Sequence, residues 1–297
     1  MAVINRREFV RFGMLGLAAG VGGLALPRGS VAAEPAGEAL RFGLVTYLWG
    51  RDWDLPTLIA NCSETGVLGV ELRTTHAHGV EPVLNSQQRR EVRSRFEDSP
   101  VVCVGLGSNE RFDDPDPAVV KKAIDASKEF IVLSHDIGSS GVKVKPDSFH
   151  DGIPHEQTIA QIGKSLNELG EFAEGYGQQI RLEVHGKCAE LPTIKAIMEV
   201  AEHRNVYVCW NSNATDLAGD GLEHNFKLVR DRFGDTLHVH QLDDAKYPFA
   251  DLFKLLVKSE YTGWVLLEAS GDPPDRVAAL REQRELFDKL VAAARSV

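Results

Sequence analysis

Short apolar runs alternate along the chain with longer stretches whose apolar residues recur three and four positions apart. The runs at 41–46 (RFGLVT), 67–72 (VLGVEL), 101–105 (VVCVG), 140–145 (SGVKVK), 180–184 (IRLEV), 206–210 (VYVCW), 236–241 (TLHVHQ) and 263–268 (GWVLLE) predict strands. Helical periodicity fills the intervals near 55–65, 86–97, 117–136, 157–176, 191–203, 222–233, 248–259 and 274–295. The stretch DDPDPAVVKKAIDASKEFIVL is representative: Asp and Pro stand where a helix begins, and the apolar spacing follows. Strands alternating with helices predict parallel βαβ units. Eight such units in roughly 260 residues match the size of a single (β/α)8 barrel. A doubly wound open sheet is the competing α/β fold. It calls for a glycine-rich phosphate turn after the first strand, where this chain reads TYLWGRDWDLP.

The first 33 residues stand outside this pattern. Paired Arg6 and Arg7 precede Phe9, an uncharged run spans 12–26, and VAA precedes Glu34. A basic head, a short apolar core and small residues at a cut site make an export signal. The RREFVR start resembles the twin-arginine type, so a mature barrel domain over 34–297 outside the cytoplasm, in the periplasm, is expected. The apolar core is shorter than the ~20 residues of a spanning helix, so no stable membrane insertion is expected after cleavage.

Without that segment the chain carries 29 basic and 42 acidic residues, a net charge near −13. This balance, without basic runs, argues against a nucleic-acid partner and against an anionic membrane surface. Cys62, Cys103, Cys188 and Cys209 form no CxxC pair, so a zinc cluster is not expected and no disulfide pairing stands out. A homo-oligomer is compatible with the composition.

In a barrel, chemistry gathers at the C-terminal ends of the strands. The second strand delivers Glu71 and Arg73, then His76 and His78; pairing of Arg73 with Glu71 is expected. The fourth delivers Lys143 and Lys145, of which one is expected in a solvated turn. The fifth delivers Glu183 and His185, and the sixth Trp210 and Asn211. The seventh delivers His238 and His240, and the eighth Glu268. Charged groups rarely occupy barrel strands without partners. Two carboxylates and a histidine converging from different strands suit Mn2+, Mg2+, Co2+ or Zn2+.

The motifs LEVHG, VCWNSN, HVHQLDD and YTGWVLLEAS resemble the last four strand ends of the xylose isomerase-like barrels, the sugar phosphate isomerase/epimerase group. The resemblance implies a metal site of Glu183, the residue at 211, His240 and Glu268. The family's usual Asp is Asn211 here, which keeps an oxygen donor but removes a charge. Three readings follow: a site with two carboxylates, substitution by Asp216 or another group, or loss of the metal; the first is favoured. His238 is then a wall residue or a partner of a ligand.

The resemblance further implies a metal-dependent isomerase or epimerase acting on a small carbohydrate. Glu183 and Glu268 would remove and return a carbon-bound proton through an enediolate. His185, Lys145, His78 and His238 would contact substrate, and Trp49 and Trp210 would offer flat faces to a sugar ring. The alternatives are a lyase or hydrolase acting on keto-glycosides on the same scaffold, and a non-catalytic sugar-binding barrel.

Overall fold

The computed structural model describes residues 40–296. The expected export signal over 1–33 and the start of the expected mature chain lie outside the described residues. Among those described, no helix is long and apolar enough to cross a membrane.

Among the described residues, eight strands alternate with eight α-helices: β1 (Arg41–Val45), α1 (Leu55–Thr65), β2 (Gly69–Arg73), α2 (Ser86–Glu97), β3 (Val102–Arg111), α3 (Pro117–Asp136), β4 (Gly141–Lys145), α4 (His155–Glu174), β5 (Gln179–Glu183), α5 (Leu191–Val200), β6 (Val206–Cys209), α6 (Gly221–Val229), β7 (Thr236–Val239), α7 (Phe249–Lys258), β8 (Trp264–Leu267) and α8 (Arg276–Arg295). All ladders are parallel, and the sheet runs β6-β5-β4-β3-β2-β1-β8-β7. Its two ends meet through bridges at Val208/Phe233 and Asn211/His238, with His238 N–H donating to the Trp210 carbonyl at 2.7 Å. The result is a nearly closed (β/α)8 barrel.

Local chemistry sets the element boundaries. The Asp54 carboxylate caps α1 by accepting the Thr57 N–H at 2.9 Å, and Gly66 ends that helix in a left-handed turn (φ 71°). Asn85 and Gln88 form a reciprocal capping box on α2. Asp116 caps α3, whose first residue is Pro117. The main departure is β3, which runs on to Arg111 and shifts register against β4 after Gly107.

Strand alternation divides the side chains between two environments. Val142, Val144, Leu182, Val208 and Leu237 join the large apolar layer between sheet and helices. A smaller apolar cluster of Val45, Val104, Trp264 and Leu266 is separate from it. A Cβ on Gly69 would lie 2.4 Å from the Trp264 ring, so a glycine there makes room for the indole. Arg181 is fully buried two residues before Glu183 and is satisfied by Gln179, the Val104 carbonyl, Thr236 and Ser140. All four cysteines are buried and free.

Candidate active site

A chain of alternating charge runs across the barrel interior. Glu71 of β2 faces His238 of β7, with Oε1 3.2 Å from Nε2. The other ring nitrogen of His238 lies 3.4 Å from Glu183 Oε1 on β5. Glu183 Oε2 is 2.8 Å from the Lys143 ammonium on β4. All four side chains are essentially sealed from solvent. The histidine contacts lie off the N–H axes, so they act as Coulombic pairs rather than linear hydrogen bonds.

Burial opposes every one of these charges, and the neighbours outweigh it. Glu71 is held below the usual carboxylate range by His238 and Lys143, despite burial. Glu183 is held well below it by Lys143 and His238, again against burial. Lys143 is raised by Glu183 and Glu71 in spite of its own burial. His238 is raised well above the ordinary imidazole value, because Cys209, Glu71 and Glu183 overcome burial. Both ring nitrogens of His238 thus face carboxylate oxygens. The space for Glu71 comes from glycines on β3: a Cβ on Gly107 would stand 2.9 Å from Oε1, and one on Gly105 3.3 Å from Oε2.

Above this layer, Asn211 spans the two carboxylates. Its Nδ2 donates to Glu183 Oε1 at 3.1 Å and to Glu268 Oε2 at 2.8 Å. Ionised carboxylates only accept, which fixes the amide nitrogen toward them. The Asn211 Oδ1 atom is buried and has no hydrogen-bond partner. Glu268 follows β8 directly and keeps 13% of its side chain exposed, in contrast to the sealed Glu183. Glu183, His238 and Glu268 each place one ligand-type atom within 4.8 Å of the others, a possible metal site.

His240 is held by a separate set of contacts, to Ser212. Its Nδ1 lies 2.7 Å from the Ser212 carbonyl, to which it must donate. A backbone carbonyl on Nδ1 is the arrangement that orients a metal-binding imidazole. Among the described residues it is His238, and not the expected His240, whose ring nitrogen lies with the Glu183 and Glu268 oxygens within 4.8 Å. Two carboxylates and an imidazole drawn together in this way are donors that fit a divalent cation, with Asn211 Oδ1 a further oxygen once its amide turns.

Loops from β4 and β5 bring a second group to the mouth. Asp147 Oδ1 is 3.1 Å from His185 Nδ1, and Arg111 pairs with Asp147 Oδ2 at 2.6 Å. Asp147 adopts a left-handed backbone (φ 65°), and its carbonyl accepts the Cys188 N–H at 3.1 Å. A Cβ on Gly186 would meet that carbonyl at 2.3 Å, so only glycine lets the loops close here. Burial lowers the His185 pKa. Lys145 is 6% exposed, and its ammonium has no ion-pair or hydrogen-bond partner among the described residues. Burial, then the charge of Lys143, lowers its pKa.

Several expectations are corrected by this geometry. Neither Lys143 nor Lys145 is in a solvated turn; both lie on the buried face of β4. Glu71 pairs with His238 rather than Arg73, whose guanidinium instead reaches Asn109 and covers the Tyr47 ring. Trp210 is fully buried against Phe226 and Phe233, because strand alternation turns it away from Asn211. Trp49 is 4% exposed, its Nε1–H tied to the Ser270 carbonyl. His78 uses both nitrogens locally, accepting the Val80 N–H and donating to the Arg73 carbonyl, so it staples a loop. Asp216 does not replace Asn211; it accepts from Tyr247 Oη (2.7 Å) and the Asn213 N–H (2.9 Å), away from the carboxylates. Glu71, expected only as a partner of Arg73, and Asp147, left unassigned by the sequence, gain roles in the site. The glycines of VGLGSN signal the first, and no sequence signal marks the second.

A family model described as xylose isomerase-like TIM barrel matches residues 59–290. No curated protein matches the chain in sequence. Among solved structures, L-ribulose 3-epimerase superposes with a TM-score of 0.75 at 15% identity, over 87% of this chain and 96% of that one. The 3-keto-D-glucoside 4-epimerase YcjR from E. coli gives 0.72 at 14% identity, over 84% and 100%. The IolI protein with a bound zinc atom gives 0.70 at 16%, over 85% and 98%. At these identities the likeness establishes the fold.

Proposed function

Because the chain belongs to the xylose isomerase-like TIM barrel family, we propose that it is a sugar isomerase or epimerase acting on a small carbohydrate by abstraction of a carbon-bound proton. One observation carries the reading: Glu183 and Glu268, from different strands, converge on Asn211 at the barrel mouth. Glu268 is the more exposed carboxylate and serves as the base that meets substrate. Glu183, kept ionised by Lys143, has no proton to give and is placed to accept a hydrogen bond from a substrate hydroxyl, while Glu268 returns the proton it has taken. The unpartnered Lys145 ammonium stabilises the oxyanion that develops as the proton leaves. His185, aligned by Asp147, binds or protonates a hydroxyl at the rim.

Glu183, Glu268, His238 and the Asn211 amide oxygen would hold a divalent ion, which when bound would polarise the carbonyl and the neighbouring hydroxyl.

The His185–Asp147 pair also supports a second reading, elimination from a 3-keto-glycoside, because it could give a proton to the departing group. Incubation in D2O separates the two. Deuterium entering a ketose at the carbon beside its carbonyl supports epimerisation, whereas release of the aglycone from a keto-glycoside supports elimination. Loss of both in Glu268→Gln, with sugar binding retained, excludes a purely binding barrel. No turnover of any tested carbohydrate by the wild type would defeat the proposal. We further propose export by the twin-arginine route, on the Arg6-Arg7 segment. N-terminal sequencing of the exported protein checks it, and a retained Met1–Ala33 segment would refute cleavage.

A further inference from the structure

We propose that Lys143 is a built-in competitor of the divalent cation, holding Glu183 so that an ion enters only by taking this carboxylate from it. The inference rests on the reading of the strand ends as a cation site and names the residue that sets its affinity. Both oxygens of Glu183 already face proton donors. Oε2 meets the Lys143 ammonium at 2.8 Å, and Oε1 meets Asn211 Nδ2 at 3.1 Å and His238 Nδ1 at 3.4 Å. The Lys143 side chain is 1% exposed and that of Glu183 0%, so solvent neither screens the pair nor offers the ammonium a place to go.

The charge balance points the same way. Three carboxylates, Glu71, Glu183 and Glu268, act on the Lys143 ammonium, and the His238 ring lies 3.2, 3.4 and 3.8 Å from the same three. A divalent ion added to this arrangement sets two cations against Glu183 in a medium of low dielectric. Asn211, in place of a carboxylate, supplies no charge to offset that repulsion. The ion therefore gains Glu183 only as Lys143 turns toward another acceptor, and Glu71 is a carboxylate already attracting it. Asn211 must also rotate its amide to present Oδ1, giving up its two donations. An uncharged side chain of similar length at 143 removes the competition and leaves Glu183 wanting a cation.

The test is a Mn2+ titration of chelator-stripped, sugar-free protein, with free Mn2+ read by electron paramagnetic resonance. Lys143→Met is expected to bind Mn2+ at least roughly tenfold more tightly than the wild type, because a like charge is removed from a dry site. Unchanged or weaker binding in the variant overturns the proposal, as does the absence of binding in both. Should Lys143→Met fail to fold, wild-type crystals soaked in MnCl2 decide the matter. An ion between Glu183 and Glu268, with the Lys143 ammonium moved off Glu183, supports competition; an ion with that pair intact overturns it. Neither measurement contains sugar, so failure of the proton-abstraction reading would leave both results standing.

Discussion

Asn211 donates to Glu268 at 2.8 Å, and with the same nitrogen to Glu183. One amide thus joins two carboxylates that would otherwise repel. Asn211→Leu removes both donations and leaves the sealed Glu183 with fewer partners. Hydrogen bonds to charged groups contribute about 1.5–3 kcal/mol. Urea unfolding should show a loss of that order, and a change below about 0.5 kcal/mol would mean the bridge is incidental.

Glu268 is the base in the proposed reaction, and general-base catalysis contributes roughly 100- to 10,000-fold. Glu268→Gln keeps the acceptor for Asn211 but has no basicity. Solvent-proton exchange into a turned-over carbohydrate should fall within that range while the far-ultraviolet circular dichroism stays unchanged.

Gly107 lies where a Cβ would approach Glu71 Oε1 to 2.9 Å. Gly107→Ala must push a buried, ion-paired carboxylate aside. Overpacking of this kind costs about 1–3 kcal/mol, measurable as a lower midpoint of denaturant unfolding. The equivalent substitution at exposed Ser86, on the first turn of α2, should cost far less.

Asp216 gives a pH dependence with a definite sign. Burial pushes its carboxyl up to about 7 from 3.8, against the hydrogen bonds from Tyr247 and Asn213. The folded protein therefore holds this proton more tightly than the unfolded chain. Stability is fully retained below pH 3.8, falls as pH rises toward 7, and is flat above. Asp216→Asn keeps an acceptor for both donors and removes that loss. At about 1.4 kcal/mol per pKa unit, the variant should exceed the wild type by on the order of 2–4 kcal/mol at pH 8. The gap should close as pH falls toward 4. A pH-independent difference in urea midpoints would contradict this assignment.

The barrel was legible because its determinants are local. Apolar runs such as IRLEV and VYVCW can be buried only as parallel strands covered by helices, and Asp54, Asn85 and Asp116 mark helix starts through side-chain chemistry within three residues. The convergence of Glu183, Asn211 and Glu268 was legible too, since each interrupts or ends an apolar strand and a barrel sends its strand ends to one mouth. Alternation along β7 put His238 and His240 on one face.

Depth along the barrel axis was not legible, and only the tertiary structure decided it. His238 lies low enough to be held between Glu71 and Glu183, whereas His240 rises to the Ser212 carbonyl, so two residues of one face receive different partners. Lys143 reads as a surface residue by composition but is sealed against Glu183, because strand order places β4 beside β5. Trp210 looks available at a strand end, yet its neighbour Asn211 takes the inward position and sends the indole to the helices. Asp147 meets His185 only where two loops, separate in sequence, close over Gly186. Sequence specifies which groups reach the mouth through short-range periodicity; their partners, protonation and exposure arise from contacts between strands far apart in the chain.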